Sequence, residues 1–180
     1  MYFFSKTILG SYAFAFRVLK APVGLIGNAI YQVFYQKATE ALNSGQPIQP
    51  LVRRIYRNLF LIGLPVFLVL FIFAIPIFTF IFGEEWKTSG EIAQILMPWL
   101  FLNFLANPVS SIAIIMNRQR EAMFITFVDI TIKVIAIVIG GLANDYKLAF
   151  IIMSAATSVL LIYALYWYHK IAKTVSIKTY

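Results

Sequence analysis

The sequence contains no cysteine and very little charge. Without cysteine, the chain forms neither a disulfide nor a thiolate metal site. Only 12% of its residues are charged, 61% are hydrophobic, and the mean hydropathy is +0.83. Soluble domains carry about 25% charged residues because their surface must be solvated. The composition therefore excludes an ordinary soluble protein and predicts a chain embedded in a membrane.

Groups that could perform acid–base or metal chemistry are also scarce. The single histidine, His169, lies among aromatic residues near the end of the chain, and Asp129 is the one carboxylate in the interior of an apolar segment. A paired acid–base site needs two such groups. The sequence shows no metal-ligand cluster and no phosphate-binding glycine loop. We therefore expect a protein that is not an enzyme and that carries no cofactor and no metal.

Long apolar runs make up most of the chain, and each of five runs has the roughly 20 residues that a bilayer requires. They predict an all-α, polytopic integral membrane protein that forms a single membrane domain over residues 1–180. The helices are expected at about residues 8–36, 55–82, 91–116, 121–143 and 147–171. The clearest loop is NSGQPIQP, residues 43–50, because its turn-forming residues include two prolines.

The net charge of +8 is distributed unevenly over the connections between these helices. Basic residues fall on every second connection and after the last helix: Lys37, Arg53, Arg54, Arg57, Arg118, Arg120, Lys170, Lys173 and Lys178. The alternate connections, residues 83–91 and 140–147, are acidic or near neutral. Because basic loops stay in the cytoplasm, we expect a cytoplasmic C-terminus and an outward N-terminus. The pattern suits contact with anionic membrane lipids and requires no nucleic-acid partner.

The first predicted helix contains cations within its hydrophobic run. A charged side chain inside a bilayer costs about 2.5–3.5 kcal/mol on insertion scales, so it marks a functional site by default. Gly24 and Asn28 lie within about 20° of Arg17 on a helical wheel, and Lys20 lies about 60° away. A guanidinium donates two parallel hydrogen bonds to a phosphate. We predict that Arg17 and Lys20 bind a phosphate-bearing substrate and that Asn28 lines its cavity. The alternatives are a structural ion pair or a snorkelling cation.

Asp129 and Lys133 are four residues apart in the fourth predicted helix, with the acid before the base. This order allows the two side chains to neutralise each other on one helix face. One interpretation is a mutually satisfied structural pair. The other is a coupling pair, in which Asp129 exchanges between Lys133 and a proton or cation.

The third predicted helix carries amides and hydroxyls on one face, at Asn103, Asn107, Ser110 and Ser111. Such groups often join neighbouring membrane helices by hydrogen bonds worth about 0.6–2 kcal/mol each. The same groups could instead form a cavity wall that hydrogen-bonds sugars. On that interpretation Asn103 and Asn107 are substrate-binding candidates.

Several short motifs occur in an order that resembles the bacterial oligosaccharide flippases. They are Arg17-x4-Pro22-x-Gly24, Gly27 followed by Gln32-Val33-Phe34 and Lys37-Ala38, Ile77-Phe78, Phe82-Gly83-x-x-Trp86, Ile95-Leu96-Met97-Pro98 and Asn107-Pro108-Val109-Ser110. Over residues 8–172 the chain is similar to the C-terminal part of this family, which belongs to the multidrug/oligosaccharidyl-lipid/polysaccharide exporter superfamily.

The resemblance implies a carrier of undecaprenyl-diphosphate-linked oligosaccharide across the bacterial inner membrane, for O-antigen, lipopolysaccharide or other surface polysaccharide biosynthesis. Related peptidoglycan-precursor flippases place a substrate-binding arginine at the position of Arg17 and an acidic residue before it. Phe16 stands there in this chain, which favours the polysaccharide branch. The chain resembles only part of the C-terminal lobe of a twelve-helix-type exporter. The resemblance thus implies a fragment whose missing N-terminal lobe is a partner in transport.

Other functions are compatible with the same residues. A cation-coupled drug exporter of the same superfamily would favour carboxylates and aromatic residues in its cavity over an unpaired Arg17. In a non-transporting scaffold or subunit, the polar residues would only hold helices together. A membrane glycosyltransferase or polymerase would need a pair of catalytic carboxylates, which this sequence does not show.

Overall fold

The protein is a bundle of long helices, as seen in a computed structural model that describes residues 4–174. Over this range the regular elements are α1 (Lys6–Asn43), α2 (Gln49–Phe82), α3 (Lys87–Ala106), α4 (Ile112–Ile115), α5 (Gln119–Leu142) and α6 (Tyr146–Thr174), with 3-10 turns at Glu84–Trp86 and Asn107–Val109. Five segments are long and apolar enough to cross a bilayer. The predicted all-α, five-span architecture is confirmed, and the chain is a multi-pass membrane protein.

Three of the connections are sharp because the helix before each one ends in a left-handed residue. These residues are Gly45, Asn117 and Asn144, with φ of 67°, 54° and 52°. In each case the next amide donates to the carbonyl five residues earlier, which closes a Schellman-type cap. Glycine and asparagine adopt this backbone conformation at low cost. Short connections of this kind return the following helix in the opposite direction.

α3 is the central helix of the bundle. In the span Glu84–Ile115, 56% of the most apolar window is buried, compared with 6% in α5. α3 packs against α1, α2 and α6, whereas α5 packs mainly on α6. The contact with α2 is close at Gly90, where an added Cβ would lie 2.8 Å from the Cα of Ile75. α1 and α5 thus flank the central helices with little direct contact between them.

The first two helices are longer than the sequence pattern predicts. α1 continues to Asn43 rather than residue 36, and α2 begins at Gln49 rather than near residue 55. Pro50 lies in the first turn of α2. Backbone amides in a first turn have no acceptor within the helix, so the missing amide hydrogen of proline removes no hydrogen bond there. Consequently Arg53, Arg54 and Arg57 belong to the first nine residues of α2, and Lys37 belongs to α1.

The third predicted helix, residues 91–116, is broken in the structure. α3 ends at Ala106, and a 3-10 turn follows because Pro108 has no amide hydrogen to continue the helical ladder. The Ser110 hydroxyl donates to the Asn107 carbonyl at 2.7 Å, which stabilises the turn. The helical register is lost here. The Asn107 amide still donates to the Asn103 carbonyl, so these two residues keep the i, i+4 spacing of one helix face. The 3-10 turn separates Ser110 and Ser111 from that helix, so the expectation of one continuous face is wrong for the two serines.

The basic connections meet at one end of the molecule, called here the basic end. Its cations among residues 4–174 are Lys37, Arg53, Arg54, Arg57, Arg118, Arg120, Lys170 and Lys173, and Lys178 lies outside the described residues. A buried cluster that includes Phe34, Val52 and Ile112 joins α1, α2 and α4 at this end. At the opposite end Lys147 pairs with Glu91 at 2.8 Å. The alternation of charge along the sequence thus becomes a separation of charge along the bundle.

Candidate functional site

The candidate site is built around two exposed cations in the apolar part of α1, Arg17 and Lys20. α1 carries both because it runs unbroken from its Ser5 cap, and Arg17 lies about 17 Å along the axis from Lys6. Arg17 makes no hydrogen bond and no ion pair with any residue between 4 and 174. The Lys20 Nζ lies 4.9 Å from the centroid of the Phe16 ring. The apolar part of α1 therefore presents two cations, and Arg17 has no hydrogen-bond acceptor among residues 4–174.

A chain of ring and charge contacts connects this part of α1 to α5 across α3. Phe16 stacks on Trp99 with the ring centroids 6.0 Å apart and the planes 18° apart. From α5, the Lys133 Nζ approaches the same Trp99 ring and lies 5.0 Å from its centroid. Lys133 also pairs with Asp129 at 2.5 Å. We call the five residues Lys20, Phe16, Trp99, Lys133 and Asp129 the aromatic–cation stack.

Helical spacing places each cation of the stack beside its partner. Phe16 and Lys20 are four residues apart on α1, and Asp129 and Lys133 are four residues apart on α5. Side chains at this spacing lie one above the other on the same helix face. Trp99, which is only 7% exposed, supplies the link because α3 lies between the two outer helices. A cation over an aromatic face is stabilised by about 0.5–2 kcal/mol.

The carboxylate of this region, Asp129, pairs with a lysine of its own helix, α5. Asp129 pairs with Lys133, and their side chains are 25% and 31% exposed. The expected i, i+4 ion pair therefore forms, and Asp129 does not neutralise Arg17. The two cations of α1 keep their charge uncompensated by any carboxylate among residues 4–174. In a low-dielectric setting such charges attract an external anion strongly.

The predicted asparagines lie away from Arg17. Asn28 is exposed on α1, eleven residues and about 16 Å beyond Arg17. Asn107 is half-buried and packs on α1, because a Cβ added to Gly27 would lie 2.9 Å from its Nδ2. Asn103 is half-buried one helical turn earlier, on α3. None of the three asparagines forms a hydrogen bond with Arg17 among residues 4–174, and their role as substrate contacts stays a prediction.

Sequence reasoning missed the aromatic part of the site. Besides the Phe16–Trp99 contact, Tyr12 stacks on Phe16 at 5.8 Å and on Phe150 at 5.0 Å. The signal available in the sequence was the spacing of Tyr12, Phe16 and Lys20, each four residues from the next on one helix face. The partners on α3 and α6 are distant in sequence, and no local pattern indicates them.

A family model described as polysaccharide biosynthesis protein matches residues 2–91. This chain belongs to that family. The matched part of this polysaccharide biosynthesis protein contains Arg17, Lys20 and Asn28, whereas Trp99, Asn103, Asn107, Asp129 and Lys133 follow it. No curated protein and no solved structure matches the chain significantly. Family membership and the five apolar helices together assign it a role in polysaccharide synthesis or export at a membrane.

Proposed function

We propose that this protein translocates undecaprenyl-diphosphate-linked oligosaccharide across the bacterial inner membrane, as a transporter rather than an enzyme. One observation carries the proposal: Arg17 lies exposed in the apolar part of α1 without a carboxylate partner among residues 4–174. A cation in that position costs free energy unless an anion meets it. In a polysaccharide biosynthesis protein, the anion that suits it is the diphosphate of a lipid-linked sugar.

Arg17 and Lys20 differ in how they can bind a phosphate group, and the difference gives them different roles. Arg17 has a planar guanidinium that donates two parallel hydrogen bonds, so it binds the diphosphate. Lys20 acts as an auxiliary point charge, and its contact with Phe16 holds it near the same turn of α1. Asn28, Asn103 and Asn107 lie further toward the basic end, where a longer cavity would hydrogen-bond the sugars. A second lobe facing α1 would complete that cavity.

The aromatic–cation stack supports a coupling step. While Asp129 is ionised, its carboxylate pairs with the Lys133 ammonium, which also makes a cation–π contact with the Trp99 ring. Protonation of Asp129 would remove the negative charge that neutralises the Lys133 ammonium and would leave a third uncompensated cation in the region. Because Trp99 also stacks on Phe16, a change at Lys133 reaches the turn of α1 that carries Arg17. Asp129 and Lys133 are accordingly proposed as the coupling pair.

The test uses point variants in the gene of the producing cell, scored as surface polysaccharide per molecule of protein. Arg17→Ala removes the bidentate donor, and we expect export to fall at least tenfold while protein abundance holds. Arg17→Lys keeps the positive charge but cannot donate two parallel hydrogen bonds, so we expect export to fall by an intermediate amount. Lys87→Ala is the control, because this exposed cation lies at the opposite end from the basic end. Normal export per molecule in Arg17→Ala would contradict the proposal and favour a scaffold.

A transport assay separates the proposal from drug export. Membrane vesicles containing the wild-type protein should move a labelled lipid-linked oligosaccharide to the opposite leaflet. The same vesicles should leave cationic dyes where they are. Dye efflux without lipid movement would assign the protein to cation-coupled drug export instead.

A further inference from the structure

A second cationic site lies at the basic end, away from Arg17. A cavity of about 700 Å³ opens between α2 and α6, with three arginines of α2 at its wall, Arg53, Arg54 and Arg57. Its remaining lining is mainly apolar and includes Phe60, Leu61 and Leu165. The cavity therefore combines a cluster of positive charge with a hydrophobic surface.

The three arginines lack partners in the protein. All three are exposed, and none forms a hydrogen bond or an ion pair with any residue between 4 and 174. The first turn of α2 contains no acidic residue. The three side chains lie within residues 53–57 of α2, so their like charges repel one another. An anion bound among the arginines would offset this mutual repulsion.

The apolar lining lies deeper along the same helix. Leu61 follows Arg53 by eight residues, which is about 12 Å toward the middle of the bundle. Leu165 of α6 lies across the cavity, and the Tyr56 hydroxyl donates to its carbonyl at 3.3 Å, so α2 is tied to α6 beside the cavity. A ligand that fills this space needs an anionic head near the arginines and a hydrocarbon tail beyond them.

Arg54 also borders a neighbouring cleft. This cleft, of about 400 Å³, lies between α1 and α2 and is lined by Lys37 and Asn58 as well as apolar side chains such as Val33. One arginine thus stands at the mouth of two clefts on either side of α2. That arrangement suits a headgroup whose two acyl chains separate around the helix.

We propose that this cavity is a binding site for an anionic phospholipid of the surrounding leaflet, with its phosphate on Arg53, Arg54 and Arg57 and an acyl chain along Phe60 and Leu61. The lipid is a resident one that joins α2 to α6. This proposal is independent of the transported substrate and of Arg17. A single-tailed polyprenyl diphosphate is the competing occupant, and the test decides between the two.

The experiment measures lipid binding to the purified full chain by native mass spectrometry. Phosphatidylglycerol is titrated against phosphatidylcholine in detergent. We expect phosphatidylglycerol to be retained and phosphatidylcholine to be lost. In the double variant Arg53→Gln/Arg57→Gln the apparent affinity should fall about 30-fold, since each membrane-surface cation contributes about fivefold. The charge-matched control is Arg120→Gln/Lys173→Gln, whose residues lie at the same end but do not line the cavity.

A second variant tests the tail. Leu61→Trp fills the apolar part of the cavity and leaves every arginine in place, and Leu61 is exposed enough (63%) to tolerate the larger ring. Phosphatidylglycerol affinity should fall at least threefold, while the elution volume and helical content stay those of the wild type. Unchanged affinity in this variant would show that no acyl chain occupies the cavity and would overturn the proposal.

Other outcomes would also overturn it. Equal losses in the double variant and its charge-matched control would mean diffuse attraction to negative charge. Full competition by glycerol phosphate would mean a site for phosphate alone. Displacement of phosphatidylglycerol by undecaprenyl diphosphate at tenfold lower concentration would assign the cavity to the transported lipid.

Discussion

The ionised residues within the bilayer region differ in what neutralises them. Lys133 has a carboxylate and an aromatic ring, Lys20 has only a ring, and Arg17 has no partner among residues 4–174. In hydrocarbon an unpaired cation is the most costly of these states. Of these three cations, Arg17 therefore gains most from binding an external anion.

The Asp129–Lys133 pair should behave as a coupled unit in unfolding. Asp129→Asn leaves Lys133 without its carboxylate, and we expect the free energy of unfolding to fall by about 2–3 kcal/mol. In Asp129→Asn/Lys133→Gln both charges are gone, so a loss below about 1 kcal/mol is expected. Reversible unfolding in bicelles measures both variants. Lys133→Gln alone completes the double-mutant cycle. If the effects of Asp129→Asn and Lys133→Gln simply add in the double variant, the observed ion pair carries no coupling energy.

The helices depend on a few backbone features that decide how closely they pack and where they end. Gly90 allows α3 to approach α2, and left-handed residues such as Asn117 and Asn144 end helices sharply. Pro108 ends the central helix and opens a 3-10 turn in the middle of a span. Such breaks are tolerated in membranes where neighbouring protein re-satisfies the backbone, and here the Ser110 hydroxyl does so.

Glycine substitutions should distinguish a packed helix face from an open one. In Gly90→Ala the new Cβ would lie 2.8 Å from the Ile75 Cα and 3.2 Å from the Ala74 carbonyl oxygen. Backbone atoms cannot move aside easily, so we expect a loss of about 1–3 kcal/mol in the free energy of unfolding. Gly24→Ala is the matched control, since nothing lies within 4 Å of its added Cβ.

The control should be neutral or gain up to about 1 kcal/mol, because alanine favours the helix. Thermal unfolding of both variants in the same detergent makes the comparison. Equal stability of the two variants would show that α2 and α3 are further apart than the structure places them.

The whole molecule separates its charge along the bundle. Among residues 4–174, the basic end holds most of the cations, and the opposite end holds a near-balanced mixture that includes Glu84, Glu85 and Glu91. Basic segments resist translocation, so we expect the basic end in the cytoplasm. In that orientation the three arginines of α2 would meet the anionic headgroups of the cytoplasmic leaflet.

Single cysteines introduced into this cysteine-free chain test the orientation. We expect Glu85→Cys to react with a membrane-impermeant maleimide in intact spheroplasts. Ser44→Cys should react only after permeabilisation, because it lies in the loop at the basic end. Labelling is read as a mass shift of the purified protein. The opposite pattern would place the C-terminus outside and contradict the charge-based orientation.

The amino-acid sequence by itself determined the number and type of the membrane spans, the charge of their ends and the Asp129–Lys133 pair. Hydropathy and i, i+4 spacing are local, so these features can be predicted without knowing which helices touch. The break after Ala106 could not be predicted with the same certainty, since proline is often accommodated inside membrane helices.

Only the tertiary structure decided which residues share a site. Phe16 meets Trp99, and Trp99 meets Lys133, across large separations in the chain, because α3 lies between α1 and α5. The same packing placed Asn107 against Gly27 of α1 and formed the cavity of Arg53 and Arg57 beside α6. Such contacts depend on the order in which helices pack, and that order comes from shape complementarity over the whole bundle rather than from any local pattern.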